Sequence, residues 1–288
     1  MNLSQERWGG QTSPAPEKAL VALPERKSRA RGWISGVIPC VILVAWQIAT
    51  FTGAISTRTL PSPSSVALAG WRLLCTGELL RHLGVSTARA FTGLAVGGSL
   101  GFVLGIANGY WALAHRLLDT TLQMVRNIPH LALIPMVILW FGLGEEAKVF
   151  LVALGVFFPI YVNTLHGVRS IDPALLEMAR VFQLSRSELF LRVVLPGSIP
   201  SVLVGLRFAL GLMWLTLIVA ETIGADSGIG YLAMNAREFM RTDIVVASIV
   251  VYALLGKWAD ATAKFLERRW LAWQPSYHRA SSRLGASV

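Results

Sequence analysis

Apolar positions along the chain gather into continuous runs, and the polar positions fall between them. The runs cover 33–53, 88–112, 121–143, 147–166, 199–223 and 244–265. Each is close to the roughly 20 residues that cross a bilayer as helix. In lipid the backbone must satisfy its own hydrogen bonds, which leaves helices or a closed barrel. Barrel strands alternate apolar and polar residues over about ten positions. These runs do not alternate, so the pattern predicts an all-α polytopic membrane protein with six transmembrane helices.

The polar stretches divide the chain into a tail at 1–32, a first span at 33–53, an outer segment at 54–86, a core at 87–266 and a second tail at 267–288. Within the outer segment, Val66, Leu68, Ala69, Leu73, Leu74, Leu79 and Leu80 recur with helical spacing after Leu60, Pro61, Ser62 and Pro63. Such a stretch predicts an amphipathic helix lying in the interface. The first apolar run is too long for the core of a cleaved signal peptide and reads as an anchor.

Composition agrees with lipid as the solvent. Of 288 residues, 54% are hydrophobic and 15% charged, whereas soluble domains carry about 25% charged residues. Mean hydropathy is +0.56. A net charge of +10 raises the question of nucleic acid, but the basic residues sit mainly in the tails and short connections. They serve orientation better. With the N-terminus inside, sixteen Lys and Arg fall on the inner side and six on the outer side, so the positive-inside rule predicts both termini in the cytoplasm. Two cysteines, Cys40 and Cys75, are too few for a zinc site, and no disulfide is expected between them.

Two patterns inside this frame carry more information. Gly93, Gly97, Gly101, Gly105 and Gly109 recur every fourth residue. That spacing places them near one helix face, where a neighbouring helix can approach closely. The polar segment 167–200 is long for a connection and predicts a helix of its own, with Asp172 as cap and Pro173 in the first helical position.

In that segment Glu177, Met178, Ala179, Gln183, Leu195 and Pro196 resemble the cytoplasmic signature of binding-protein-dependent importer permeases: Glu-Ala-Ala, a Gly four residues after the second Ala, and a later Leu-Pro. Met178 and Gln183 depart from it. Because Gln adopts positive φ at a cost, the turn after this helix is expected to shift or the helix to lengthen. The resemblance extends from about Leu60 to Tyr277. Arg126 to Leu131, Pro135, Trp140 to Gly142, and Arg207 to Asp226 with Ser227, Gly228, Ile229, Gly230 and Tyr231 are similar to the permeases of aliphatic sulfonate importers. Relatives for taurine, nitrate or thiamine precursors share much of the pattern.

The resemblance implies a type I ABC importer transmembrane fold in the bacterial inner membrane. It implies that the helix carrying Glu177 is a coupling helix docked on an ATPase. The implied partners are two ATP-binding subunits, a periplasmic or lipid-anchored substrate-binding protein and a second copy of the chain. ATP and Mg would be held by the ATPase subunits, with no cofactor on this chain.

Arg207 is the clearest ionisable residue within a span, with Arg126, His130 and Glu221 as further candidates for a pathway. A structural partner or a cytoplasm-facing water pocket also accounts for Arg207, since such residues commonly pair internally, and snorkelling toward a span end accounts for Arg126 and Lys257. Ser227, Gly228, Ile229, Gly230 and Tyr231 predict a short outer helix entered by a tight turn. A phosphate-binding loop is not matched around Gly256 and Lys257, because Val251 and Trp258 occupy required positions. No catalytic or metal-binding cluster is expected, since His82, His115, His130, His166 and His278 are scattered. An integral-membrane enzyme or a secondary transporter with two related halves fits the chain less well.

Overall fold

The computed structural model describes residues 31–271. The tails expected in the cytoplasm lie almost entirely outside the described residues. The chain divides at Cys40, within the first helix, and the residues from Val41 onward form the body that carries the sites below.

The elements, in chain order, are α1 (Arg31–Phe51), α2 (Pro63–Cys75), α3 (Glu78–Tyr110), α4 (Ala112–Arg126), a short 3-10 turn (His130–Leu133), α5 (Ile134–Phe141) and α6 (Glu145–Arg169). There follow α7 (Pro173–Val181), α8 (Arg186–Leu189), a π turn (Phe190–Val194), α9 (Leu195–Thr222), α10 (Ile229–Glu238) and α11 (Thr242–Trp270). By length and apolarity, α3, α6, the continuous helix Arg186–Thr222 and α11 can each cross a membrane. The pair formed by α4 and His130–Phe141 makes a fifth if its two limbs are taken as one span, and α1 contributes the shorter apolar stretch Val37–Phe51. Cys40 and Cys75 are exposed free thiols.

The glycine ladder decides how the centre is packed. A Cβ on Gly93 would lie 2.5 Å from Val152 Cγ1, on Gly101 2.5 Å from Phe157 O, on Gly105 2.7 Å from Thr164 Cβ and on Gly109 2.7 Å from Val168 Cβ. On Gly97 it would run into the carbonyl oxygen of Ala153. All five glycines therefore admit α6 at backbone distance. The other side of α6 is fitted to α9 in the same way, through Gly155 against Thr216, Gly167 against Ser198 and Ser201, and Gly205 against Asn163 and Pro159. Close approach multiplies dispersion contacts, the main source of helix association where lipid is as apolar as the side chains. Around this seam Val152, Val156, Ile160, Met213, Trp214, Leu217 and Ile229 form the largest buried cluster. Ala69 and Leu73 of α2 join Leu79, Leu232, Ala236 and Ile244 in a second.

Two expectations change, those for the outer segment and for the connection 167–200. The outer segment 54–86 does not continue as one interfacial element. α2 starts at Pro63 behind the Ser62 cap, whose hydroxyl accepts from Ser65 N–H at 3.3 Å, and it stops before Gly77. Gly77 takes φ 75°, and Glu78 already begins the 33-residue α3. A glycine in left-handed conformation lets the chain reverse cheaply there.

The third run, 121–143, is broken where Asn127, Pro129 and His130 interrupt it, as those residues lead one to expect. α4 and the segment His130–Phe141 meet at 82°. Pro129 has no N–H to continue the α4 ladder and disfavours helical backbone in Ile128.

The connection expected to extend to residue 200 ends earlier. Ser185 opens α8 with a reciprocal capping box to Glu188, and helix then runs without a gap from Arg186 to Thr222. Leu195 and Pro196 thus stand inside a long helix, where Pro196 occupies an early position of α9.

Candidate functional site

Three regions hold the chemistry-bearing residues. The first is α7. The Asp172 carboxylate accepts from Ala174 N–H at 2.9 Å, and Pro173 opens the helix. Ala179 packs inward and is buried, whereas Glu177 and Met178 are exposed. Leu175, Met178, Val181 and Phe182 add an outward apolar stripe in which Val181 is 80% and Phe182 71% exposed. An exposed apolar stripe of this kind suits contact with another protein or with a membrane.

The turn after α7 corrects the expectation about Gln183. It neither shifts nor lengthens the helix, because Gln183 itself adopts φ 55°. Gln183 N–H donates to Arg180 O at 2.9 Å and Leu184 N–H to Ala179 O at 3.1 Å, the paired bonds of a Schellman end. These offset the roughly 1 to 2 kcal/mol cost of left-handed backbone in a residue with a Cβ.

The second region is a buried polar hub that spacing alone does not reveal. Glu221, considered above for a pathway, is 1% exposed. Its carboxylate accepts from Ser86 Oγ at 2.7 Å, Arg89 Nη1 at 2.8 Å, Gly230 N–H at 2.9 Å and the Tyr252 hydroxyl at 3.0 Å. Arg89 also pairs with Glu145 at the start of α6 and donates to Ser227 O at 2.6 Å. Gly228 N–H donates to His82 Nδ1 at 3.0 Å, and Ile229 N–H to Ser86 Oγ at 2.9 Å. The glycines are needed here because a Cβ on Gly228 would strike the Glu221 carboxylate, and one on Gly230 would lie 2.6 Å from Glu221 Cβ. The hub therefore fastens the entrance of α10 to α3, α6, α9 and α11. It is fully engaged and structural.

The third region is a pair of grooves near the remaining pathway candidates. Arg207 lines one of about 490 Å³ with Val204, Phe208, Gly211, Asp260 and Glu267. It is held there by Asp260 at 2.7 Å and Glu267 at 3.8 Å, and Asp260 also bonds Lys264 at 2.7 Å. Arg126 and His130 line a second groove of about 380 Å³ against α6 and α9. His130 Nε2 lies 3.0 Å from Thr216 Oγ1. The structure thus separates the four candidates: Arg126 and His130 share a cavity, Arg207 lies in another with its own carboxylates, and Glu221 is enclosed in the hub.

Arg89, Ser86 and Tyr252 went unnoticed in the sequence, although an arginine one residue inside an apolar run was a usable signal.

Residues 79–272 match the family model described as binding-protein-dependent transport system inner membrane component. The chain is 61% identical over 241 residues, 84% of its own length and 92% of the relative's, to SsuC of Escherichia coli (strain K12), which its name assigns to aliphatic sulfonates transport as a permease protein. Its likeness to the SsuC of Bacillus subtilis (strain 168) is 41% over 91% of this chain and 96% of that one. To the taurine transport system permease protein TauC of Escherichia coli (strain K12) it is 34% over 83% and 88%. Among solved structures, an inward-facing form of the MetNI methionine ABC transporter is similar with a TM-score of 0.48 at 16% identity, covering 68% of this chain and 97% of that one. The family match over the α3–α11 core and the identities of a third or more over most of the chain agree with the multi-pass helical architecture: the chain belongs to the family of inner-membrane components of binding-protein-dependent transport systems.

Proposed function

We propose that this chain forms the transmembrane path of an ATP-driven importer for aliphatic sulfonates, working as a homodimer in a type I arrangement with both termini in the cytoplasm. Two ATP-binding subunits, which hold ATP and Mg, dock on the two copies of α7, and a substrate-binding protein delivers cargo from the outer side. The 61% identity to SsuC carries the substrate reading, against 34% to TauC and 28% to the nitrate import permease NrtB of Leptolyngbya laminosa. A sulfonate stays ionised at physiological pH, and a bare charge in hydrocarbon is costly enough to require a protein path.

Loss of the gene is expected to abolish growth on an alkanesulfonate as sole sulfur source and to spare growth on sulfate. Uptake of labelled alkanesulfonate, taurine and nitrate in cells with and without the gene checks this. Unchanged alkanesulfonate uptake in the deletion, with loss of another anion, overturns the substrate.

The exposed stripe on α7 supports the docking reading. Met178→Lys places a charge in that contact without disturbing packing, since Met178 is 51% exposed. Loss of a hot-spot residue at the centre of an interface costs about 2 kcal/mol or more, or roughly 30-fold. The variant should insert normally yet lose copurification with the ATPase subunit and lose uptake. Wild-type uptake in Met178→Lys removes α7 from the coupling role.

A further inference from the structure

The bend between α4 and α5 sets a constraint on what surrounds it. Arg126, Asn127, Ile128 and Pro129 are all exposed, and interrupted helix is tolerated at membrane depth only against protein or a water-filled cavity. Lipid cannot be the sole neighbour of this break. The groove beside it brings Arg126 and His130 together with Phe158, Pro159 and Asn163 of α6 and Phe208 of α9.

Three arginines lie within the apolar runs, and they differ in what neutralises them. Arg89 is 3% exposed between Glu221 and Glu145. Arg207 shares its groove with Asp260 and Glu267 and pairs with both, with Lys264 also on Asp260, so its charge is already neutralised by neighbouring carboxylates. Arg126 has no carboxylate within 4.0 Å among the described residues, and no acidic residue lines its groove. The acid nearest along its own helix, Asp119, has Asn108 Nδ2 at 3.5 Å and His115 Nδ1 at 3.4 Å. Lys257 is exposed on α11 and lines neither groove.

The other polar groups add donors. Asn163 uses one amide N–H on Pro159 O at 2.8 Å and keeps the second. His130 engages Thr216 through Nε2 and keeps Nδ1. The rest of the wall is aromatic and aliphatic, and about 380 Å³ suits a small molecule. One charged head against an otherwise apolar wall matches an anion that carries a short hydrocarbon tail.

We propose that Arg126, not Arg207, is the cation that receives the sulfonate group in transit, with the alkyl chain lying on Phe158 and Phe208. The assignment rests on the transport function proposed above. The same guanidinium could instead hold a lipid phosphate, and the test separates the two.

The importer is reconstituted with its ATPase and binding protein into vesicles made with and without anionic lipid. Uptake of labelled alkanesulfonate and binding-protein-stimulated ATP hydrolysis are measured for wild type, Arg126→Gln and Arg126→Lys. Arg126→Gln should lower uptake about 10-fold or more, the scale of one charge-assisted hydrogen bond, while hydrolysis continues in both lipids. Arg126→Lys should restore most of the uptake.

Wild-type uptake in Arg126→Gln overturns the assignment. So does a defect confined to vesicles with anionic lipid, which makes the ligand a headgroup, or an equal loss of hydrolysis and uptake that Lys does not rescue, which makes the role structural. Failure of the substrate reading is distinguishable. If the wild-type importer carries taurine or nitrate and not alkanesulfonate, the substrate reading falls, while an Arg126→Gln defect for the anion it does carry keeps Arg126 in the path.

Discussion

Gly97→Ala is expected to abolish the folded chain, although it adds only a methyl group. The new Cβ would meet the carbonyl oxygen of Ala153 and lie 2.7 Å from Ala153 Cα. Both are backbone atoms and cannot turn aside as a side chain end can. α6 cannot retreat either, because its far side is seated against α9 at Gly155, Gly167 and Gly205. Overpacking a well-filled core costs roughly 1 to 3 kcal/mol, and more where nothing can relax. Gly211→Ala is the matched control, since nothing lies within 4 Å of a Cβ placed there. Yield and unfolding temperature in detergent should collapse for Gly97→Ala and hold for Gly211→Ala. Equal behaviour of the two would refute the backbone-contact account of the α3–α6 seam.

Glu221→Ala should destabilise the packing around α10 by about 3 to 5 kcal/mol, the range for removing one partner of a buried ion pair. Arg89 would keep Glu145, whose side chain is 62% exposed and hence a weaker partner in water. Gly230 N–H, the Tyr252 hydroxyl and Ser86 Oγ would lose their acceptor together. Thermal unfolding and protease cutting near Ser227 report the change, and an unchanged unfolding temperature would show the hub to be dispensable. Tyr252→Phe removes a single donor and should cost only about 1 kcal/mol.

Periodicity made part of this visible in advance. The spacing of Gly93 to Gly109 specifies a close helix contact because four residues is nearly one turn, and the Asp172–Pro173 pair specifies where α7 begins. Both are local signals. The hub is not local: Ser86 and Arg89 meet Glu221 across more than 130 residues of sequence, and hydrophobic pattern does not encode which distant polar groups pair. Arg207 drew attention by its depth in an apolar run, yet its neutralisation by Asp260 depends on the packing of α11 against α9. Arg126 stands among the pathway candidates with snorkelling from a run's end as the competing account, and the choice turns on the 82° break and the groove that Arg126 lines, neither of which spacing encodes. Gln183 shows a different limit: residue preference forecast a moved turn, and two backbone hydrogen bonds overrode it.

The uninterrupted helix from Arg186 to Thr222 spans 37 residues, or roughly 55 Å. Its first turn adjoins the segment that ends α7, and its last turn carries Glu221. Mechanically this is a lever: with no break in the helix, tilt imposed at one end is carried toward the other. Its places of lower stiffness, the wider π turn at Phe190–Val194 and Pro200 inside the helix, both lie toward the Ser185 end. Compliance near the Ser185 end and a regular arm beyond it tolerate misalignment at the first while still passing displacement on to the Glu221 end.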